Sequence, residues 1–331
     1  MPRPVPTESV DERGAMTDAP TIYTAHDVPD LLNALPTLFG FRPSESLVAV
    51  ATRGPRHRFG FRLRVDIPPE RQVEQLAELV VSHLRHQGAE GAILVAVTRH
   101  QTVARELLAA IKRHLAEIEL VIGVRADAAR YWIDSPGFPL DGVGYEVSDH
   151  HLSIVKAVAA GQQILPDREA LAARFRAIAG DRRREIMQLT ADVAIEIDRA
   201  GDGDLREASR RQLCPILQRA LLGEHVSDED AVRLSVWVSH DKVRDDVWAW
   251  INRDSAPAML AFLTHVSGIV VPPFEPAVLS LAAFAGWLSG DGAQALMAVE
   301  RALEADPQYP MAHGVVRLLE GAVSPHHWGD L

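Results

Sequence analysis

Arg64, Asp66, Thr98, Arg99 and Arg125 are the residues of this chain whose types and spacing suit them to do chemistry together. Each stands at or just past the C-terminal end of a segment that reads as a β-strand. Where crossovers join parallel strands, ligands sit beyond those strand ends. A guanidinium fork can clamp a carboxylate or phosphate, and Asp66 can hold a partner arginine or a sugar hydroxyl. Arg64 and Asp66 are two apart and share one side of their strand. If the strand over 92–97 lies parallel and adjacent to theirs, Thr98 and Arg99 emerge beside them. Two arginines there repel unless Asp66 or an anion sits between them. The cluster is therefore either a satisfied ion pair fixing strand ends or an arginine-lined anion cleft.

Other reactive side chains lack partners. Ser46 sits in no Gly-x-Ser-x-Gly elbow and nothing supplies its base, so Ser44 and Ser46 read as turn caps. His150-His151 and His326-His327 are adjacent pairs, which diverge on a helix. His83 and His86 share a helix face without a third ligand, so no metal site is expected. Asp202 and Asp204 miss the calcium-loop spacing and read as a solvated turn. No common phosphate-binding glycine loop is present. Trp237, Trp248 and Trp250 fall in helical segments, where core packing is their default role. These patterns specify neither an enzyme nor a cofactor.

The elements that must position the cluster follow from hydrophobic period. Asp27 can cap a short helix with Leu31, Leu32 and Leu35 on one face, ended by Pro36. Residues 47–52 form a nearly continuous apolar run, as in a strand buried on both faces. After a turn at 53–56, Phe59, Phe61, Leu63 and Val65 alternate with Gly60, Arg62, Arg64 and Asp66, giving a second strand with one apolar face. A helix over 70–87 carries Val73, Leu76, Leu79, Val80 and Leu84 on one stripe. Then come a buried strand over 92–97, a helix over 105–118, and strands over 120–124 and 130–133. The order β-β-α-β-α-β-β predicts a mixed sheet with two crossover helices over residues 21–150.

From about Ser148 the pattern is helical throughout. Helices are expected over 149–161 (capped by Asp149), 167–179, 182–200, 205–222, 228–237, 243–251 and 256–266, with Pro215 breaking or kinking its segment. Pro272, Pro273 and Pro276 separate a last helical pair. There Gly290-Asp291, Ala295, Ala302, Leu303, Asp306 and Pro307 have the spacing of a tetratricopeptide-like hairpin, whose small residues let two helices approach closely. An all-α domain over 151–331 follows.

The combination Leu35-Pro36, Gly40-Phe41-x-Pro43, Ser46-Leu47-Val48 and Arg64-x-Asp66 resembles the actinobacterial family catalogued as domain of unknown function 4192. The likeness continues through Trp287, Gly290-Asp291-Gly292, Ala302-Leu303 and Asp306-Pro307, nearly the whole chain after residue 20. It implies a shared fold and no established activity. Relatives look cysteine-rich in the loop that here reads Asp134-Ser135-Pro136-Gly137, which argues against a metal or redox role for that loop.

Composition bounds the function. The chain has 331 residues, 47% hydrophobic and 24% charged, ordinary globular values with room for two cores. A formal charge of −11 speaks against unspecific binding to nucleic acid or anionic membrane. The acidic excess falls mainly in 151–331, leaving the α/β part nearly balanced. Cys214 is the single cysteine, which excludes an internal disulfide and fits a reducing cytoplasm. Residues 1–20, rich in proline and charge, read as a disordered tail without a signal-peptide core. The expectation is a cytoplasmic binding or scaffold module that meets a protein or peptide through its C-terminal helices. The alternative is an enzyme or small-anion sensor at the arginine-lined sheet edge.

Overall fold

The computed structural model describes residues 25–199, 205–325 and 328. The expected tail over 1–20, Asp202, Asp204 and the pair His326-His327 lie outside the described residues. The N-terminal half holds a six-stranded mixed sheet and the C-terminal half is helical, so the α/β-then-α layout stands.

Helix α1 spans Val28–Phe39, and the Asp27 carboxylate caps it by accepting the Asp30 N–H at 2.8 Å. Pro36 does not end this helix. Its ring holds a helical φ, and the missing N–H forgoes one bond while Leu31, Leu32 and Leu35 remain buried. The stop comes at Gly40, whose φ of 72° is a left-handed conformation that glycine adopts without cost.

Strands β1 (Ser46–Arg53) and β2 (Arg58–Asp66) form the expected antiparallel hairpin. A 3-10 turn over Glu70–Gln72 leads into α2 (Val73–His86), then β3 (Gly91–Val97), α3 (Gln101–His114) and β4 (Glu119–Ala126). Short strands β5 (Arg130–Ile133) and β6 (Val143–Gly144) complete the order β2-β1-β3-β4-β5-β6. Only β3 and β4 pair in parallel; β1 is antiparallel to both its neighbours.

The continuous apolar run of β1 has the predicted cause. Leu47, Ala49 and Ala51 pack under α2 and α3, while Val48 and Val50 pack against α1. In β2, Phe61, Leu63 and Val65 join the α2–α3 side, so Arg62 and Arg64 face the other way, opposite Val50 and Val48. Leu79 leaves the expected stripe of α2 and is exposed. The stripe runs through Val73, Ala77, Val80, Val81 and Leu84, and at 3.6 residues per turn Leu79 falls off it.

The helical half comprises α4 (Leu152–Ala159), α5 (Arg168–Ala173), α6 (Gly180–Arg199), α7 (Leu205–Leu221), α8 (Asp228–Trp237), α9 (Asp241–Trp248), α10 (Ala256–Ile269), α11 (Glu275–Leu288), α12 (Gly292–Ala305) and α13 (Pro310–Glu320). His151 rather than Asp149 precedes α4 as its cap residue, and Pro215 lies inside α7. Helix α5 stops at Ala173 instead of 179. Phe175 turns into the core there, and burying it outweighs two further helical turns. Helix α13 and strand β6 are additional to the expected elements.

The halves are joined through the turn after α1. Leu165 N–H donates to Gly40 C=O at 2.7 Å and Arg42 N–H donates to Leu165 C=O at 3.2 Å. This pins Phe41 so that its ring enters the helical core with Leu171 and Phe175, 2% exposed. Arg42 adds an ion pair to Asp149 at 2.8 Å. Truncating such a ring leaves a cavity that the joint cannot close. Phe41→Ala should lower unfolding free energy by about 3–5 kcal/mol in a denaturant titration; a loss below about 1 kcal/mol would show that the ring is not what seats the sheet on the helices.

Candidate functional site

The five strand-end residues do gather at one end of the sheet, but not as neighbours. Because β1 runs antiparallel between β2 and β3, its N-terminal residues intrude among them. Ser46 pairs with Asp66 on one side and Val97 on the other, and Val97 pairs with Ala126. The adjacent parallel arrangement of β2 and β3 is thus corrected: they are parallel to each other with β1 in between. The reason is the tight β1–β2 hairpin, which forces those two to pair and leaves β3 the far side of β1.

Each arginine already has a carboxylate. Arg64 meets Asp66 at 2.6 Å, Arg99 meets Glu45 at 3.6 Å, and Arg125 meets Asp134 at 3.0 Å. Arg64 also donates from Nε to the Ser46 hydroxyl at 2.8 Å, and that hydroxyl donates to the Ser44 carbonyl. Ser46 is fully buried and has no base. Burial holds the Arg64 pKa below its ordinary value, against the opposing pull of Asp66. On the same face Arg62 is exposed, with Asp291 near it as the counter-charge.

Glu45 is the residue that sequence reasoning missed. Its φ of 44° costs about 1–2 kcal/mol for a residue with a Cβ. That conformation lets its C=O accept the Ile67 N–H at 3.0 Å while its carboxylate reaches β3. There the carboxylate accepts the Thr98 hydroxyl and, at 3.3 Å, the Arg99 N–H. Burial works to raise the Glu45 pKa, but these two hydrogen bonds outweigh it and hold the carboxyl below its usual range. Gln101 ties the next strand in, accepting from Arg125 at 3.3 Å and donating to the Thr98 carbonyl. Arg125 stacks 5.7 Å over Trp132. An acidic residue in the loop before a buried strand was the only available signal for Glu45. At this edge Arg64 and Arg125 are held by close carboxylates, whereas Arg99 is 80% exposed and keeps only a loose contact with Glu45.

A second grouping has the residue types of a hydrolase. His151 contacts Asp30 through Nε2 at 3.2 Å and the Ser153 hydroxyl through Nδ1 at 2.8 Å. Ser153 is only 5% exposed, and its hydroxyl is taken up by the His151 ring. The hydrogen bond from His151, and then the His26 N–H, hold the Asp30 carboxyl below its usual value. The trio tethers α4 to α1. Among the described residues no group of His, Cys, Asp and Glu could hold a metal, and no helix is long and apolar enough to cross a membrane.

Two concavities lie elsewhere, in the helical half. One of about 540 Å³ opens between α7 and α9, walled by Leu213, Leu217, Val243, Val247 and Trp250 with Cys214 and Asp246. The other, about 460 Å³, lies between α10 and the linker from α5 to α6 and includes Arg174, Arg176, Thr264 and His265. Neither includes Arg64, Asp66, Thr98, Arg99 or Arg125.

The Glu45 network makes a prediction with a defined sign. A carboxyl whose folded pKa is depressed contributes stability above its unfolded pKa and loses it as pH falls through the folded one. Thr98→Val should therefore destabilise at pH 7 by about 1–3 kcal/mol, since the hydroxyl donates to Glu45 and also accepts the His100 N–H at 3.0 Å. The difference from the parent should narrow in acid, below the folded pKa of Glu45, when urea unfolding is followed across pH. A gap that stays constant with pH would separate Thr98 from the titration of Glu45.

No curated protein and no solved structure matches the chain. A family profile does, over residues 29–326, and its description is a domain of unknown function, DUF4192. The Gly40-Phe41 joint, the β1–β2 hairpin and the terminal helices all fall inside the matched span. This chain therefore belongs to the DUF4192 family.

Proposed function

We propose that this protein is a binding module that takes a protein or peptide through its helical half, with the cleft between α7 and α9 receiving an apolar side chain. The cleft carries this reading. Its volume of about 540 Å³ suits one or two side chains, and aliphatic side chains with one indole line it beside a few polar ones, Arg210 among them. Asp246 gives it a polar mark: one carboxylate oxygen pairs with Arg206 at 3.0 Å, while the other is buried without a partner among the described residues. A leucine or aromatic side chain next to a lysine or arginine is the matching motif. The alternative, an enzyme or anion sensor at the sheet edge, has less to work with, because Arg64 and Arg125 are engaged by close carboxylates and only the exposed Arg99 is loosely held.

The terminal helices support a scaffold role in finer detail. Helices α11 and α12 approach so closely that a Cβ on Gly286 would come within 2.9 Å of the Ala295 nitrogen. Ala295 and Ala302 are fully buried. Small residues at such spacing are what a tetratricopeptide-like hairpin uses, and we assign that character to α11 and α12. Ala302→Leu should destabilise by about 1–3 kcal/mol through overpacking; unchanged thermal unfolding would make the repeat-like spacing accidental.

Cys214 lines the cleft and is the chain's single cysteine, so it reports occupancy directly. Peptides selected for binding to the full chain should slow alkylation of Cys214. Ala249, exposed on the rim, can be enlarged without touching the core. Ala249→Trp should weaken those peptides about ten-fold or more, equivalent to one buried apolar side chain, while Arg99→Ala leaves them unchanged. Selected peptides that bind Ala249→Trp as tightly as the parent and leave Cys214 fully reactive would rule the cleft out.

A further inference from the structure

The linker between α5 and α6 is held more firmly than a connection needs to be. Phe175 is buried in the helical core, and its carbonyl accepts from the Arg301 guanidinium. Three residues on, Ile178 N–H donates to the Gly268 carbonyl of α10 at 3.0 Å. Arg174 and Arg176 flank the anchored Phe175 and both line the concavity of about 460 Å³. Arg174 is half-buried and has no ion pair among the described residues. Arg176 has only a loose contact with Glu169 at 3.9 Å, both side chains being exposed and screened.

The opposite wall is α10. Thr264 lines it at 5% exposure, and its hydroxyl is buried without a hydrogen-bond partner among the described residues. A helical threonine normally returns that hydroxyl to the carbonyl four residues back, and buried polar atoms left unpaired in native structures call for an explanation. His265 follows it at the rim. Beside them Gly268 leaves the floor open, since a Cβ there would meet nothing within 4 Å.

We propose that this concavity binds a phosphate monoester, with Arg174, Arg176, Thr264 and His265 as its hydrogen-bond donors. Two guanidinium groups, a hydroxyl and an imidazole border this space on two walls. One fork suffices for a planar carboxylate, whereas donors from several directions suit the three terminal oxygens of a phosphoryl group. The space exceeds a bare phosphate, and Ile178 with the open floor at Gly268 leaves room for a small organic body. The site shares no residue with the α7–α9 cleft and stands or falls independently of it.

The test uses the full chain and follows thermal unfolding with inorganic phosphate, phenyl phosphate or benzoate against sodium chloride at matched ionic strength. Phenyl phosphate should stabilise most, inorganic phosphate less, and benzoate no more than chloride. Thr264→Val removes only an unpartnered hydroxyl, so its ligand-free Tm should stay within about 2 °C of the parent, as should that of Arg174→Ala. Each should weaken phenyl phosphate about ten-fold or more, the loss of one charge-assisted hydrogen bond. Thr264→Val, being isosteric, decides the matter if Arg174→Ala loses structure. Stabilisation by phosphate no greater than by chloride overturns the proposal. So does an effect undiminished in the variants, or benzoate matching phenyl phosphate.

Discussion

The seating of Phe41 in the helical core is the contact on which the rest of the structure depends. Gly40 turns out of α1 in a left-handed conformation, and the two backbone bonds to Leu165 fix the residue that follows. Phe41 then points away from the sheet and into the company of Leu171 and Phe175. Only four residues separate it from Ser46, the first residue of β1. The start of the central strand is therefore set by an aromatic ring buried in the other half of the molecule. The strained backbone of Glu45, and with it the carboxylate that bridges to β3, lies within this short tether. A glycine-phenylalanine pair followed by a proline is the sequence trace of that constraint.

A second constraint holds the helices themselves. Arg301 of α12 is buried against Glu275 of α11 at 3.2 Å, with the two side chains 14% and 12% exposed. Burial pushes its pKa down and Glu275 pushes back. A buried ion pair alone is weak evidence of stabilisation, because desolvation consumes most of the attraction. Here the guanidinium also donates to the carbonyls of Phe175 and Ser267, so that three of its five N–H groups are taken up. The α5–α6 linker and the ends of α10 and α11 thus converge on one side chain. The chain as a whole joins its halves with an apolar anchor and ties its helices with a polar one.

Much of this was legible in the sequence where the period of burial matched the period of the element. The continuous apolar run of β1 and the alternation of β2 each gave the strand and its environment, and the strand-end positions of Arg64, Asp66, Thr98, Arg99 and Arg125 did come to one end. What escaped was decided between elements. That β1 inserts between β2 and β3 depends on which strand pairs with which, and no local pattern encodes it. Glu45 escaped because its role needs a left-handed backbone that glutamate rarely adopts. The local rule for proline predicts a helix end at Pro36 and a break or kink at Pro215. In both helices the surrounding apolar contacts outweigh one lost hydrogen bond, which is a tertiary override of a local rule. Helix α13 escaped despite a legible stripe: Pro310 opens it, and Met311, Ala312, Val315, Leu318 and Leu319 pack on the helical core.

The same distinction governs where a ligand site can be sought. Arginine at the ends of strands drew attention first, since a cluster of positive charge is the visible feature of a sequence. Yet a chain of net charge −11 offers carboxylates in abundance, and an arginine at a strand end has them within a few residues. Asp66 is two positions from Arg64, and Asp134 lies just past the strand that pairs with Arg125. Density of arginine is then a poor guide, because folding supplies the counter-charges. An arginine that stays half-buried and unpaired in so acidic a molecule is the rarer condition. It becomes visible only once the backbone around it is known to be fixed. Arg174 meets that condition beside Phe175, and the hydroxyl of Thr264 across from it is unmet in the same way. Two polar groups are left unsatisfied on facing walls, each on a segment anchored elsewhere, and no hydrogen bond joins them among the described residues, although the hydroxyl could accept one from the guanidinium. What they lack in common is an acceptor.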